Sequence, residues 1–328
     1  MGGKIKNILI TGHLGFIGFH VSKKFISEGY NIMGIDSLND YYSVKLKRDR
    51  GKVLNEINGN YSCVVDDLSD EAVIKKIKKF KPDLILNFAA QAGVRHSLSN
   101  PEDYISNNIS SFMNIIKYAK DYEVEKIVYA STSSVYGGNK DFPFNENDRV
   151  DDPLQFYAVT KRTNELMAKA FNELYKINFI GLRFFTVYGP WGRPDMAIHK
   201  FTNLILKNKP IEVYNFGNHT RDFTYIDDLV EGIKLVSTKK NKFLKKSYSE
   251  IYNIGGKNPI SLNKLIKEIE KNLGIKAKKN LLPLQKGDVK KTISDIEKIS
   301  KHYGFYPQTS IEKGIKNFID WYKDYYLF

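Results

Sequence analysis

Thr11-Gly12-His13-Leu14-Gly15-Phe16-Ile17-Gly18 is the stretch on which the fold turns. Before it, residues 5–10, with Ile8-Leu9-Ile10 at their centre, read as a buried strand. After it, residues 17–28 read as a helix ending at Gly29. Gly12 permits a tight turn, Gly15 lets backbone approach a pyrophosphate, and Gly18 allows close helix packing. The helix N-terminus then offers unpaired N–H groups and a positive dipole end to phosphate. A spaced glycine triplet says little alone, but strand before and helix after make it a dinucleotide-binding turn. A second strand, Asn31 to Ile35, stops at Asp36, placed to accept hydrogen bonds from a ribose diol. A carboxylate there repels a 2′-phosphate, so NAD is expected rather than NADP.

Outward from this turn, strands and helices alternate. Tyr61 to Val65 reads as a third strand, 71–80 as a helix closed before Pro82, and Asp83 to Phe88 as a fourth strand. A long helix is expected over 103–121, a fifth strand from Lys126 to Ala130, a helix over 154–175 and a sixth strand from Asn178 to Arg183. Such alternation predicts an α/β fold, a Rossmann-type doubly wound parallel sheet. After Arg183 the pattern changes. A turn-rich loop, Gly189 to Asp195, precedes a helix near 197–208, a short strand at 211–214 and a helix at 227–237 that returns to the sheet. Ser261 to Leu273 has an amphipathic pattern opened by a capping serine. The division expected is residues 1–183 as NAD-binding domain, with a return segment near 220–255, and 184–328 mainly as a smaller, interleaved, discontinuous substrate-binding lobe. Ligands in such folds sit at the carboxyl ends of the strands, under the second lobe.

The 328 residues, 42% hydrophobic and 27% charged, suit a globular enzyme of this size. No apolar run approaches the roughly 20 residues that span a bilayer, and the first strand starts too early for a secretion signal, so no membrane and a cytoplasmic setting are expected. The single cysteine, Cys63, excludes an internal disulfide and reads as a small core residue. A net charge of +14 invites a nucleic-acid partner. The lysines are scattered among Asn and Ile, however, and no zinc spacing or aromatic RNA-binding signature accompanies them, so no nucleic acid and no metal are expected. Lys45-Leu46-Lys47-Arg48 reads as a solvated face.

Chemistry is carried by Tyr157 and Lys161, preceded by Ser131-Thr132-Ser133-Ser134. Residues four apart share a helix face, so phenol and ammonium can enter one cleft. A nearby cation favours the phenolate and lowers the tyrosine pKa, as a base acting on an alcohol near neutral pH requires. With the glycine turn upstream, this describes hydride exchange between NAD and a carbon bearing hydroxyl.

At this point the chain resembles, over nearly its whole length, an extended short-chain dehydrogenase/reductase of the nucleotide-sugar epimerase/dehydratase family. Thr11 to Gly18, Asp67-Leu68, Phe88-Ala89-Ala90-Gln91, Thr132 to Gly137, Tyr157 to Lys161, Arg221-Asp222-Phe223 and Gly287-Asp288-Val289 fall in that family's order. The resemblance implies that Gly12, Gly15, Phe16, Ile17, Gly18, Asp36 and Asn39 bind NAD, with Asp67 and Leu68 at the adenine. It implies Ala89, Gln91 and Asn108 along the ribose and pyrophosphate, and Lys161 at the nicotinamide ribose. Arg221 and Asp288 resemble diphosphate and uridine-ribose contacts; an arginine fork suits phosphate. Two longer stretches, Asp36 to Tyr42 and Arg183 to Ala197, closely resemble the UDP-glucuronate 4-epimerase branch, which shares Thr186 and Arg193.

The resemblance therefore implies an isomerase feeding polysaccharide biosynthesis, with tightly bound NAD regenerated each turnover. Tyr157 would act as base on the 4-hydroxyl and Thr132 would hydrogen-bond the same oxygen while a 4-keto sugar forms and turns over. Ser133 and Ser134 stand where related dehydratases carry an Asp-Glu pair, and decarboxylases carry an acid at the position of Ser134; neither acid is present here. Hydroxyls of Thr132, Ser133, Ser134 and Thr186, with Arg193 near the mouth, are chemically reasonable around a C5 carboxylate. Arg193 is open to a second reading, a loop-stapling salt bridge. Two other functions stay open: a 4-epimerase for UDP-glucose or UDP-N-acetylglucosamine, and a non-catalytic NAD-binding protein. A homodimer through the helices at 103–121 and 154–175 is a further implication of the resemblance.

Overall fold

Ile8, Leu9 and Ile10 have no exposed surface in β1 (Asn7–Thr11), as befits a strand of a parallel sheet covered by helices on both faces. The computed structural model describes residues 5–257, 259–285 and 288–327. Five strands follow β1 in chain order: β2 (Asn31–Asp36), β3 (Tyr61–Val65), β4 (Leu84–Asn87), β5 (Lys126–Thr132) and β6 (Asn178–Phe184). Then come β7 (Thr186–Tyr188), β8 (Ile211–Tyr214), β9 (Thr220–Tyr225), β10 (Ser249–Ile254), β11 (Pro259–Ser261) and β12 (Lys279–Leu282). Among the described residues the main sheet has seven strands in the order β10-β6-β5-β4-β1-β2-β3, and every pairing in it is parallel. It is the expected Rossmann-type sheet. Strand order reverses between β1 and β4, which opens a crevice at their carboxyl ends.

Helices cover the two faces. Phe19 and Phe25 of the helix Phe16–Ser27 are fully buried on one side, Phe112 and Ile115 of Ser111–Asp121 on the other. Each such side chain stabilises the fold by roughly 1.5–3 kcal/mol on burial. The chain leaves the sheet after β6 and weaves. β7 and β9 pair in a three-stranded sheet with β11, β8 pairs with β12, and β10 returns to the main sheet beside β6. The buried Asp222 fastens this traffic, accepting from the backbone N–H of Gly256 at 3.0 Å and of Ser294 at 2.9 Å.

Several local expectations are corrected. The helix expected over 103–121 is broken into Pro101–Tyr104, a π-helical turn Ile105–Ser110 and Ser111–Asp121. The wider turn aims the buried Asn108 at the β4 loop, where its Oδ1 accepts from the Gln91 N–H at 2.8 Å. Residues Val44–Glu56 form a helix capped by Ser43, and in the Lys45–Arg48 run only Lys45 and Arg48 face solvent, because Leu46 and Lys47 are buried. Cys63 is exposed, since β3 lies at the sheet's edge. No helix among the described residues is long and apolar enough to cross a membrane.

Candidate active site

A cleft of about 730 Å³ runs along the carboxyl ends of the strands, between the sheet and the woven lobe. Its cofactor wall begins at the glycine turn. Gly12 has φ +68° and lies so close to the β4 loop that a Cβ would stand 2.7 Å from the Ala89 nitrogen. A Cβ on Gly18 would collide with the Gly12 carbonyl oxygen. Thr11 locks this approach: its hydroxyl donates to Asn87 Oδ1 at 2.7 Å and accepts from the Ala89 N–H at 3.1 Å. Asp36 ends β2 with its carboxylate held by the N–H groups of Leu14 (3.0 Å) and Leu38 (2.9 Å).

Gly12, Gly15, Phe16, Ile17, Gly18, Asp36, Asn39, Asp67, Leu68, Ala89 and Gln91 all face the cleft. Asn108 does not. It stands behind the wall, holding Gln91 and donating to Thr160 Oγ1 at 3.0 Å. A bare glycine cradle at a helix N-terminus, followed by a fixed carboxylate, fits a dinucleotide.

At the centre stand Thr132, Tyr157 and Lys161, all lining the cleft. Thr132 ends β5, and its Oγ1 accepts from the Ser134 N–H at 3.2 Å. Tyr157 and Lys161 lie one turn apart at the start of the helix Phe156–Tyr175. That helix is tied to β5 and β6 by a buried network. Arg183 donates to both oxygens of Glu165 at 2.9 Å, and Ser131 adds a 2.7 Å hydrogen bond.

The electrostatics differ from the sequence reading. Burial raises the Tyr157 phenol above its ordinary value, and the opposing influences are the Arg193 charge and a hydrogen bond with Thr132, not Lys161. Lys161 is itself pushed down to about 8 by burial, against the pull of Glu165. The charge that favours the phenolate is therefore that of Arg193.

Ser133, Ser134, Thr186, Arg193, Arg221 and Asp288 line the other wall. Arg193 is forked onto Asp195, at 3.0 Å from Nε and 2.5 Å from Nη2, with the Tyr41 ring 5.7 Å away. Arg221 donates to Asp288 at 2.9 Å, and burial lowers its pKa. His219 Nε2 lies 3.4 Å from Asp288, but burial and Arg221 lower its pKa and favour the neutral ring. Gly287 lies outside the described residues. Tyr41, Tyr42 and Lys47 also reach the cleft, and sequence reasoning gave them no role. Among the described residues, no cluster of His, Cys, Asp and Glu is arranged to hold a metal.

Residues 8–255 match the model of the NAD dependent epimerase/dehydratase family. Protein CapI of Staphylococcus aureus is 45% identical, over 97% of this chain and 99% of its own. A probable UDP-glucuronate 4-epimerase of Rhizobium meliloti is 41% identical, over 97% of each chain. The crystal structure of UDP-glucuronic acid 4-epimerase from Bacillus cereus, in complex with UDP-glucuronic acid and NAD, superimposes with a TM-score of 0.90 at 33% identity, covering 98% of this chain and 100% of that one.

Proposed function

The chain belongs to the NAD dependent epimerase/dehydratase family, with NAD as cofactor, and we propose that it inverts C4 of UDP-glucuronate to give UDP-galacturonate. One observation carries this reading. Thr132, Tyr157 and Lys161 share a cleft with Arg193 and Arg221, and hydroxyls rather than carboxylates stand at Ser133, Ser134 and Thr186. A base for an alcohol, two anion-binding forks and no acid at the three hydroxyl positions suit epimerisation of an anionic sugar nucleotide. The similarity to UDP-glucuronate 4-epimerases supports the choice of sugar.

When bound, NAD supplies reversible hydride exchange at the sugar carbon, held by the glycine cradle, Asp36 and Lys161. Tyr157 removes the proton from the 4-hydroxyl and later returns it. Thr132, hydrogen-bonded to Tyr157, steadies the same oxygen as charge shifts. Arg221 keeps the diphosphate anchored while the 4-keto sugar turns over about its bonds. That ketone is a β-keto acid, prone to lose CO2 when the carboxylate bond aligns with the carbonyl π system. Ser133, Ser134 and Thr186 hold the carboxylate out of that alignment.

Proton NMR of the purified protein with UDP-glucuronate and no added NAD tests the proposal. A stable mixture with UDP-galacturonate and no pentose is expected. Turnover of UDP-glucose or UDP-N-acetylglucosamine in its place would overturn the sugar assignment. Alanine at Ser133, Ser134 or Thr186 should raise the release of CO2. Exposed Ile105, Val159, Leu166 and Leu174 support a homodimer through the same helices, which light scattering on a sizing column checks.

A further inference from the structure

Arg50 has no exposed surface and does not line the cleft, yet its guanidinium touches three segments that do. Nη1 donates to the Leu14 carbonyl and to the Tyr42 hydroxyl, both at 2.8 Å, and Nη2 donates to the Trp191 carbonyl at 2.6 Å. Leu14 lies inside the glycine turn, Tyr42 in the loop after Asp36, and Trp191 two residues before Arg193. No carboxylate among the described residues pairs with this buried cation. The nearest in its own helix, Asp49, is taken by Lys45 at 2.6 Å, Lys52 at 3.0 Å and Tyr325 at 2.7 Å.

Lys47, one turn back, repeats the arrangement. Its side chain is buried, and Nζ donates to the Asn39 carbonyl and side-chain oxygens at 2.5 and 2.6 Å, 4.5 Å from the Tyr42 ring centroid. A buried cation costs desolvation that neutral acceptors only partly offset. An anionic dinucleotide held at the glycine turn would supply counter-charge to Arg50, as Asp36 and Asp40 do in part for Lys47.

The loop carrying Arg193 is meanwhile fastened to the cofactor half. Besides Arg50, His20 Nε2 meets the Pro190 carbonyl at 2.9 Å, and the Tyr41 hydroxyl reaches Asp195 at 3.4 Å. Trp191 adopts φ +60°, a sparsely allowed conformation for a bulky residue that its surroundings must enforce.

We infer that Arg50, seconded by Lys47, is a positioning residue that couples retention of NAD to the placement of the 189–195 loop. The coupling rests on the proposed function for its sugar ligand. Linkage makes it reciprocal: a sugar nucleotide gripped by the loop slows release of NAD, and bound NAD sets the loop for the sugar.

The test follows NAD release from purified holoenzyme, by the fluorescence of a second protein that captures free NAD, with and without UDP-glucuronate. The unaltered enzyme should release NAD several-fold more slowly with the sugar present. Arg50→Gln should release NAD at least tenfold faster and lose the slowing by sugar. Arg50→Lys, which keeps the charge but not the fork, should lose most of the slowing, and Tyr42→Phe part of it. These two carry the test should Arg50→Gln not fold. Release at the unaltered rate in all the variants that fold, or faster release with the slowing intact, would reduce Arg50 to loop packing and overturn the coupling. So would an unaltered enzyme whose NAD release no UDP-sugar slows. Were UDP-glucose alone to slow release, with Arg50→Gln erasing that effect, the coupling would stand and only the uronate assignment would fall.

Discussion

The two walls of the cleft are built on opposite principles. On the cofactor wall, the carboxylates of Asp36 and Asp67 are held by backbone N–H groups, those of Leu14 and Leu38 and that of Ser69, and the glycine turn is set by close packing. Neither of these carboxylates must let go of a charged side chain for a dinucleotide to enter. On the substrate wall, Arg193 and Arg221 are filled by carboxylates of the protein itself, Arg193 by Asp195 and Arg221 by Asp288. On the proposed function, an incoming diphosphate or uronate must share or displace those carboxylates. A wall shaped in advance suits a cofactor kept through many turnovers, and a wall of exchangeable ion pairs suits a sugar that binds, turns over and leaves.

The largest effects should come from the groups between the walls. Tyr157→Phe removes the only base proposed and should lower kcat by about 10²–10⁴-fold. NAD content, read from the absorbance of the denatured protein, should stay unchanged because the cofactor wall is untouched; a cofactor-free variant would break the separation of the walls. Glu165→Gln comes next. It leaves buried Arg183 without its counter-charge and should cost about 3–5 kcal/mol of stability, measured by guanidinium denaturation.

The contrast between the walls was only half legible in the sequence. A glycine turn is written locally, so Thr11 to Gly18 and Asp36 disclosed fold and cofactor together. Arg50 and Lys47 were hidden because a run of basic residues looks the same whether it faces water or folds beneath a loop. Only the three acceptors that converge on Arg50 distinguish the cases. The seventh strand, β10, mixes polar and apolar residues, and its pairing with β6 comes from tertiary structure alone. A loop-stapling salt bridge was one of two readings of Arg193, and the structure shows such a bridge and names its partner, Asp195. The site reads poorly where charges choose partners across loops, because spacing in the chain carries no record of that choice.

On the substrate wall, Arg221→Met should raise KM for the sugar nucleotide about 10- to 100-fold, the usual worth of hydrogen bonds to a charged group, with a smaller change in kcat. Competition by UDP alone should weaken in parallel. If UDP binding is unaffected, Arg221 is only the partner of Asp288, and the exchangeable wall shrinks to Arg193.

The smallest effect is the most discriminating, because it asks whether Arg193 belongs to the substrate alone. Burial raises the Tyr157 pKa, and the Arg193 charge pulls it back. The proposed mechanism needs the phenolate, so kcat should climb with pH as Tyr157 loses its proton. Removing the cation in Arg193→Met lifts the phenol further and moves the climbing limb to higher pH. The loss in kcat is then greatest near neutrality and closes in alkaline solution. Asp195→Asn, which leaves the guanidinium without its carboxylate, should move the limb the other way. Profiles of kcat carried from about pH 6 to beyond 10, past the ordinary tyrosine value that burial raises here, separate this from simple carboxylate binding, which raises KM and leaves the limb in place. A shifted limb makes Arg193 the point where the exchangeable wall reaches the base: its partner decides both which sugar is held and how readily Tyr157 ionises.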